Sequence, residues 1–529
     1  MSDTYLTDKL SMCLQECLAV AEEGKIVSLK NILNDTIRAI DSPLQLAIIG
    51  QISSSKSTLV NALLGAEIVE MGWKETTYNV SWIKYGSSDS DIKVVYKDGN
   101  TKMIKRAEWE SWSNQSASQL KGEVLYLEVT YPHETLKRIN IIDTPGLDST
   151  KGTDSKNTID FLKKVKPDAV LLIFTQAIAE SAMNVLKEYQ NAGGRDSFRL
   201  SPLNAIGLYA KIDSIWLSDN TLIPIEKANE VINSNIYKKF PEVKRSLHTI
   251  FPICAIAGLA AKTISDSDFQ TIRKFTSIPE DKLNKLLSSA ARFEEDDISE
   301  YTEVSCEIRK NLKKKYELYC IYSIIKYIAQ NPDCTVAMLR NHLMQISGLR
   351  KVENRLLMHF GDRAVLIKMQ NIAIQIVREC EHIRQSVAMK QYADDIESIL
   401  LRALHNIKEF RELDYLAQIY EGDTSPLDSD ALEEYKTLCG EKGYSMQQRL
   451  QLSDGVDCQT MIEKAQQRVY DANSKAYIYH LLSDSANEEL YMNLCDSYTI
   501  LIQRITEMQQ RKQRAEQDLN IVQSFFYGD

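Results

Sequence analysis

Short apolar runs rich in β-branched residues alternate with helical segments between residues 44 and 261. This alternation predicts a mostly parallel sheet whose strands are joined by crossover helices. The predicted strands are Leu44–Ile49, Val80–Tyr85, Ile92–Tyr96, Val124–Thr130, Ile139–Ile142, Ala169–Phe174, Ala205–Tyr209 and Ile250–Cys254. We interpret the region as one α/β domain.

The chain from Pro279 onward contains few helix breakers. Only Pro332 and Pro426 follow Pro279, in a segment rich in Leu, Glu, Lys, Gln and Arg, and this composition predicts nearly continuous helix. The expected helices lie at 298–330, 335–347, 349–360, 362–421, 430–452, 457–481 and 485–525. Residues 4–38 are also amphipathic, so they are expected to pack on the C-terminal helices.

Three parts are therefore predicted along the chain: an N-terminal helical segment at 1–40, the α/β domain at 41–278, and a long all-α bundle or stalk at 279–529.

The overall composition excludes several classes of protein. A net charge of −10 over 529 residues argues against nucleic-acid binding, which needs a basic face. The ten cysteines form no CxxC pair and no secretory signal is evident, which favours the reducing cytoplasm. No run approaches the roughly 18–20 apolar residues of a membrane span. Any membrane contact is therefore expected to be peripheral, on the inner face.

The segment GQISSSKSTLVNALLG, residues 50–65, follows the first predicted strand and nearly matches the phosphate-loop pattern GxxxxGK[ST]. Its backbone N–H groups are expected to converge on phosphates at a helix N-terminus. Lys56 would reach the β and γ phosphates, and Ser57 would bind Mg²⁺. Ser55 replaces the second glycine and is expected to adopt a helix-like backbone. The predicted nucleotide-binding residues here are Gly50, Gln51, Ile52, Ser53, Ser54, Ser55, Lys56, Ser57 and Thr58. The alternative is a polar helix cap with an incidental lysine.

Two further segments are expected to contact the metal and the γ phosphate. In IIDTPG, Asp143 ends an apolar strand and can hold the Mg²⁺ shell, while the Gly146 N–H can contact the γ phosphate. In KETTYNV, Thr77, or its neighbour Thr76, stands where a first switch would ligate Mg²⁺ and orient the attacking water.

The segment AKID is expected to select the base. Asp213 can accept hydrogen bonds from the N1–H and the exocyclic amine of guanine, whereas adenine offers no such pair of donors. The stem of Lys211 would cover the base. Further along, FPICAIAG places Cys254 and Ala255 where a backbone segment can cap guanine. GTP and GDP are therefore the predicted nucleotides.

Together, these segments resemble those of bacterial dynamin-like proteins, large GTPases of the dynamin superfamily. The residues that carry the resemblance are GQISSSKSTLVNALLG, ETTYNVSWIKYG, IDTPGLDS, AKID and CAIAG. It implies a P-loop GTPase head on a helical stalk, head-to-head dimerisation across the nucleotide and, in many members, membrane binding or remodelling. A second dynamin-like protein as partner is also implied.

The resemblance assigns catalysis to Ser53, Lys56 and Thr77. Ser53 falls where dynamins place a serine that contacts the β–γ bridging oxygen. Ile52 falls where eukaryotic dynamins carry a glutamine that positions water, and isoleucine cannot hydrogen-bond. Slow intrinsic hydrolysis is therefore expected. Two alternatives stay open: a GTP-dependent regulatory switch, or a scaffold, acting on a protein partner without lipid.

Overall fold

The computed structural model describes residues 2–51, 54–69, 79–109, 112, 124–146, 161–162, 165–175, 178, 180–191, 202–218, 223–240, 242–361, 363–422, 424–443 and 445–527. Within these residues the chain forms two compact units. One comprises the described residues from 42 to 191 and from 202 to 367, and the other comprises those from 2 to 41 and from 368 to 527. We call them the sheet unit and the helical unit.

The sheet unit is built on nine described strands: β1 Leu44–Gly50, β2 Ser81–Tyr85, β3 Ile92–Tyr96, β4 Thr101–Ile104, β5 Val124–Tyr131, β6 Ile139–Asp143, β7 Ala169–Phe174, β8 Ala205–Tyr209 and β9 Ile250–Pro252. Their order is β4-β3-β5-β2-β6-β1-β7-β8-β9. The strands from β6 to β9 in this order pair in parallel, and β2 pairs in parallel with β5. The remaining pairs are antiparallel. The predicted fold class, an α/β domain with a mostly parallel sheet, is confirmed.

The central strands are buried on both faces. Every residue of β6, β7 and β8 is buried, as are all residues of β1 except the partly buried Gln45. Parallel strands need this cover because their crossover connections place helices on the two faces of the sheet. Burial on both faces explains why strands such as Ala169–Phe174 are continuously apolar in sequence.

Strand β4 was missed by the sequence analysis. It pairs antiparallel with β3 at the edge of the sheet, and three of its four residues are exposed. The connection between the two strands contains Asp98 and Gly99, with φ +91° at the glycine. An Asp-Gly pair between strands is a hairpin signal that could have revealed it.

Helices surround this sheet within the same unit. They are Lys56–Leu64, Glu180–Asn191, Asp213–Ser218, Pro224–Val231, Tyr237–Lys239, Val243–Ser246, Ala255–Thr263, Asp266–Arg273, Glu280–Leu286, Ala290–Glu295, Cys306–Gln330, Val336–Ser347 and Leu349–Arg355. Short 3₁₀ segments lie at Arg106–Glu108, Glu134–Lys137 and Lys274–Ser277, and π-helical turns at Ile232–Ile236 and Leu356–Gly361. The sheet unit thus contains helices well beyond residue 278, up to residue 367.

The helical unit contains two N-terminal helices and most of the C-terminal ones. Its helices are Ser2–Glu23, Val27–Ala39, Lys390–His405, Lys408–Glu421, Ser429–Leu438, Met446–Arg449, Cys458–Leu481 and Ser485–Tyr527, together with Ala364–Ile383, whose first residues belong to the sheet unit. The Ser2–Glu23 helix packs on Lys390–His405, where the Cys17 thiol donates to the Ile396 carbonyl at 3.8 Å.

Two predicted segments are broken in the structure. The segment 362–421 forms three helices rather than one. After the first of them the chain turns, so that the Arg384 guanidinium pairs with Asp394 and Glu397 on the second. The N-terminal segment 4–38 is likewise two helices, separated at Gly24 and at Lys25, which has φ +54°. Among the described residues, no helix is both long enough and apolar enough to cross a bilayer.

Candidate nucleotide site

The phosphate loop leaves β1 at Gly50 and leads into the Lys56–Leu64 helix. Gly50 lies against β7, because a Cβ atom there would stand 2.2 Å from the Ile173 carbonyl oxygen. No larger residue fits without moving the backbone. Of the predicted loop residues, Gln51 and Thr58 are partly buried and Ser54 is fully buried.

The backbone of Ser55 differs from the expectation. The residue precedes the helix with φ +72° and ψ +27°, in the left-handed region and not in a helix-like conformation. Glycine adopts this conformation freely, whereas a residue with a Cβ atom is strained there. The loop therefore keeps the backbone that a glycine would have at position 55 and bears the strain of a serine.

Lys56 is buried beneath this loop, with 7% of its surface exposed. Its Nζ donates hydrogen bonds to the carbonyl oxygens of Gly50 at 3.2 Å and Gln51 at 2.9 Å. Burial lowers the pKa of Lys56 to about 8, and the carboxylate of Asp143 opposes that shift. The ammonium group thus lies inside the loop, close to one carboxylate.

Asp143 ends β6 and is fully buried. Its Oδ2 accepts a hydrogen bond from the Ser57 hydroxyl at 3.1 Å, while its Oδ1 has no hydrogen-bond partner among the described residues. Burial raises the pKa of Asp143 to about 6, against the opposing effects of Lys56 and Ser57. A buried carboxylate oxygen without a partner, beside a serine hydroxyl, is a pair of hard oxygen donors that suits Mg²⁺.

Thr144, which the sequence analysis did not single out, holds the end of β6. It is fully buried, and its hydroxyl donates to the Ile48 carbonyl of β1 at 2.7 Å. Its place in the DTPG motif could have identified it from the sequence. The next predicted residue, Gly146, is partly buried just beyond.

The residues predicted to select the base lie beyond β8 and β9. Asp213 begins the Asp213–Ser218 helix, and the Cys254 thiol donates to its Oδ1 at 3.6 Å. Burial raises the pKa of Asp213, although hydrogen bonds from its own backbone and from Cys254, and the charge of Lys211, oppose the rise. Lys211 has φ +54°, and Ala255 is buried at the start of the next helix.

Strands β6, β1, β7, β8 and β9 pair in parallel one after another, so all five run in the same direction. Their carboxyl ends therefore lie at one edge of the sheet, which is where open α/β sheets bind ligands. The phosphate residues Lys56, Ser57 and Asp143 and the base residues Asp213 and Cys254 follow four of these strand ends. The structure thus brings both predicted groups to the same edge.

Four residues considered for the site, Ile52, Ser53, Thr76 and Thr77, lie outside the described residues. Their assigned roles stay predictions.

A helix remote in sequence adjoins the base-selecting residues. Trp216 of the Asp213–Ser218 helix packs against Tyr319 and Tyr322 of the Cys306–Gln330 helix, with ring centroids 6.0 and 4.7 Å away. At Glu317 that helix is kinked, with φ +57° and ψ +161°. Burial raises the pKa of Glu317, and the nearby negative charge of Asp213 adds to the rise. No motif in the sequence indicated this contact.

Comparison with known proteins gives a consistent result. A profile of the Dynamin family matches residues 46–195. The isoniazid-induced protein IniC of Mycobacterium tuberculosis is 25% identical over 418 residues, covering 78% of this chain and 80% of that protein. Dynamin-like protein 2 of Campylobacter jejuni is 27% identical over 170 residues, covering 32% of this chain and 27% of that protein.

A solved structure of an oligomerised bacterial dynamin pair aligns with 98% of this chain and 95% of its own at 14% identity, with a TM-score of 0.34, which is below the level of a shared fold. The Dynamin family match, in contrast, spans β1, the phosphate loop and β6, which carry Lys56, Ser57 and Asp143. Residues 46–195 thus match the Dynamin family, and the chain resembles the dynamin-like proteins of bacteria.

Proposed function

We propose that the carboxyl edge of the sheet binds GTP with Mg²⁺ and hydrolyses it. The observation that carries this proposal is the contact between Ser57 and Asp143 beside the buried Lys56. The other carboxylate oxygen, Asp143 Oδ1, has no hydrogen-bond partner among the described residues. Ser57 and Asp143 would hold the metal, together with Thr77. When bound, Mg²⁺ would neutralise charge on the phosphate oxygens.

The residues of the loop would bind the phosphates. Lys56 Nζ donates to two loop carbonyl oxygens, and phosphate oxygens are stronger acceptors for an ammonium group than neutral carbonyls are. The N–H groups from Gln51 to Ser57 would complete the cradle. Ser53, Lys56 and Thr77 would act in hydrolysis by positioning and by charge stabilisation.

Guanine would be recognised by Asp213, with Lys211 across the base and Cys254 and Ala255 beside it. The Cys254 thiol supports this arrangement because its hydrogen bond to Oδ1 orients the carboxylate. Burial of Asp213 strengthens discrimination, since a wrong base would leave a desolvated carboxylate oxygen unpaired.

We propose further that the heads dimerise and that GTP turnover moves the helical unit. Turnover would be slow in the single head, because Ile52 offers no hydrogen bond to water, and self-association would raise it. The predicted parts 1–40, 41–278 and 279–529 stay a prediction, because the moving helical unit begins only at residue 368 in the C-terminal half of the chain. A second dynamin-like protein could take the place of the partner head. The protein would work in the cytoplasm.

An apolar tip supports a peripheral membrane contact. The Cys458–Leu481 and Ser485–Tyr527 helices form a hairpin, and large apolar side chains at its turn are exposed: Ile478 by 52%, Leu481 by 65% and Leu482 by 68%. We call these three residues the hairpin tip. Exposed apolar groups at one point favour insertion into the acyl boundary of a membrane.

The charges beside the hairpin tip favour the second candidate, a switch or scaffold that acts on a protein partner. His480 pairs with the acidic Glu488 at 3.0 Å, whereas membrane-surface helices usually carry basic residues beside their apolar face. A protein groove would accept the same apolar side chains without a basic surround.

Calorimetry with the full chain tests the nucleotide proposal. We expect GTP to bind with Mg²⁺ present and phosphate to be released, at a rate per molecule that rises with protein concentration. The absence of heat with GTP, GDP and a non-hydrolysable analogue would refute the proposal for binding. Binding without phosphate release would support the scaffold alternative.

A further inference from the structure

Cys306 is the one exposed cysteine of the chain. All ten cysteines lie in the described residues; Cys458 is half-buried and the other eight are buried. Cys306 is the first residue of the Cys306–Gln330 helix, immediately after the N-cap Ser305, whose hydroxyl oxygen accepts a hydrogen bond from the Ile308 N–H. A helix N-terminus favours negative charge on the side chain that occupies it.

Arg309 lies one turn further along and is buried, with only 1% of its surface exposed. Its Nη2 donates to the Cys306 sulfur at 3.0 Å and to the Asp296 carbonyl oxygen at 2.7 Å. Its Nε and Nη1 have no hydrogen-bond partner among the described residues. The guanidinium therefore points to the sulfur while part of its hydrogen-bonding capacity remains unused.

The guanidinium also lacks a close anionic partner in the described part of the chain. Its charge affects the carboxylate of Asp297 only weakly. The pKa of Asp297 is lowered mainly by hydrogen bonds from Ser299 and to a lesser extent by the charge of Arg309. A buried cation with unsatisfied N–H groups is costly, and an oxygen anion that entered the site would reduce that cost.

We propose that Cys306 is a site of oxidation by hydroperoxides and that Arg309 receives the oxygen added to its sulfur. Cys306 is exposed and its sulfur accepts a hydrogen bond from the Arg309 guanidinium, so it combines solvent access with an adjacent positive charge, as reactive cysteines do. The sulfenic product carries an oxygen that accepts hydrogen bonds. The guanidinium that donates to the sulfur lies beside it and has further N–H groups without a partner among the described residues.

The reaction is a two-electron transfer. The sulfur attacks one oxygen of the hydroperoxide, the S–O bond forms and the O–O bond breaks. Sulfur is oxidised and the peroxide is reduced to an alcohol, or to water when the oxidant is hydrogen peroxide. The thiol proton goes to the departing oxygen, so that thiol and hydroperoxide give sulfenic acid and alcohol.

Site-resolved labelling of the full chain tests this assignment. After brief exposure to hydrogen peroxide, a sulfenic-acid probe and peptide mass spectrometry should find Cys306 labelled at least about tenfold faster than Cys458. In Arg309→Gln the labelling of Cys306 should fall several-fold, and Arg309→Lys should restore part of it. Equal labelling of Cys306 and Cys458 would overturn the proposal.

A second measurement separates the role of Arg309 from mere exposure and from misfolding. The variant Cys306→Ser with Asp266→Cys places an exposed thiol at the same first helical position, after the N-cap Ser265. The ratio of alkylation rates with anionic iodoacetate and neutral iodoacetamide should be higher at Cys306 than at this introduced cysteine, and should drop in Arg309→Gln. An unchanged ratio would refute the role of the guanidinium, because unfolding would raise both rates together.

Discussion

The Ser57 hydroxyl donates to Asp143 Oδ2 at 3.1 Å, which joins the first turn of the phosphate-loop helix to the end of β6 across 86 residues of sequence. Each residue alone would be a common polar group at the end of an element. Their contact, with Lys56 beside them, creates a buried site that contains one cation and one carboxylate. Nucleotide and metal affinity should therefore depend on both residues together.

The variant Ser57→Ala removes one proposed metal donor and also the hydroxyl that donates to Asp143 Oδ2. We expect Mg²⁺-dependent GTP affinity to fall by about tenfold or more, equivalent to about 1.4 kcal/mol. Calorimetry with and without Mg²⁺ measures the change, and the exposed Ser299→Ala serves as control. Affinity that stays equal to that of the wild type in Mg²⁺ would exclude Ser57 as a ligand.

The variant Ser55→Gly should stabilise the sheet unit, because glycine adopts φ +72° without a Cβ clash. The gain is expected to be about 1 kcal/mol, measured as a rise in the melting temperature. Gly65, at the other end of the same helix with φ +68°, provides the reverse test. Gly65→Ala should lower stability. If Ser55→Gly is neutral or destabilising, the loop is not strained as described.

The variant Asp213→Asn should change base preference. Guanine presents two donors to the carboxylate, whereas an amide offers one acceptor and one donor. That pair matches xanthine, which has a carbonyl in place of the exocyclic amine. We expect GTP affinity to fall about a hundredfold and XTP affinity to rise. Competition binding with GTP, XTP and ATP measures this, and unaltered preference for GTP would place guanine recognition elsewhere.

Removal of the hairpin tip should separate the two candidate partners. The double change Leu481→Gln and Leu482→Gln removes exposed apolar surface, and Tyr470→Gln on the same helix, 70% exposed, is the control. If lipid is the partner, co-sedimentation with anionic vesicles and a GTP analogue should fall by about tenfold or more. Vesicle binding that is unaffected by the double change would show that the hairpin tip does not contact the membrane.

Asp428 should stabilise the helical unit in a pH-dependent way. It caps the Ser429–Leu438 helix through the Ala431 N–H and accepts hydrogen bonds from the hydroxyls of Tyr479 and Tyr491. The backbone N–H of Ala431 is the largest cause of its lowered pKa, and the Tyr491 hydroxyl contributes further. The folded state therefore binds this proton less readily than the unfolded chain does.

It follows that Asp428 contributes its full stability above the usual aspartate pKa of about 3.9 and loses it as the pH falls through the lower folded value. Asp428→Ala should destabilise the unit by about 2 kcal/mol at pH 7, and the difference should shrink only below about pH 4. Asp457→Ala, which removes a cap without tyrosine partners, should have a smaller effect. Urea unfolding across pH measures the loss of stability in both variants. Equal losses would show that Tyr479 and Tyr491 add nothing to the stability that Asp428 contributes.

Several features of this chain followed from the sequence because they depend on short stretches of it. Apolar β-branched runs predicted eight of the described strands, since buried parallel strands need apolar residues on both faces. The spacing of Lys56, Ser57, Asp143 and Asp213 after those strands predicted the site, because each motif lies at the carboxyl end of its own strand. Thr144 escaped notice although its motif was recognised, as its partner, the Ile48 carbonyl, lies on another strand.

Only the tertiary structure decided the features that depend on distant partners. Nothing local marks the turns that divide residues 362–421, where Arg384 pairs across the bend with Asp394 and Glu397. The left-handed backbone of Ser55 opposes the local preference of serine, and the surrounding fold holds it there. The sequence by itself therefore determined the class of the fold and the residues of the phosphate and base motifs. Packing decided their conformations and their contacts, because a residue's lowest-energy state depends on neighbours that only the folded chain supplies.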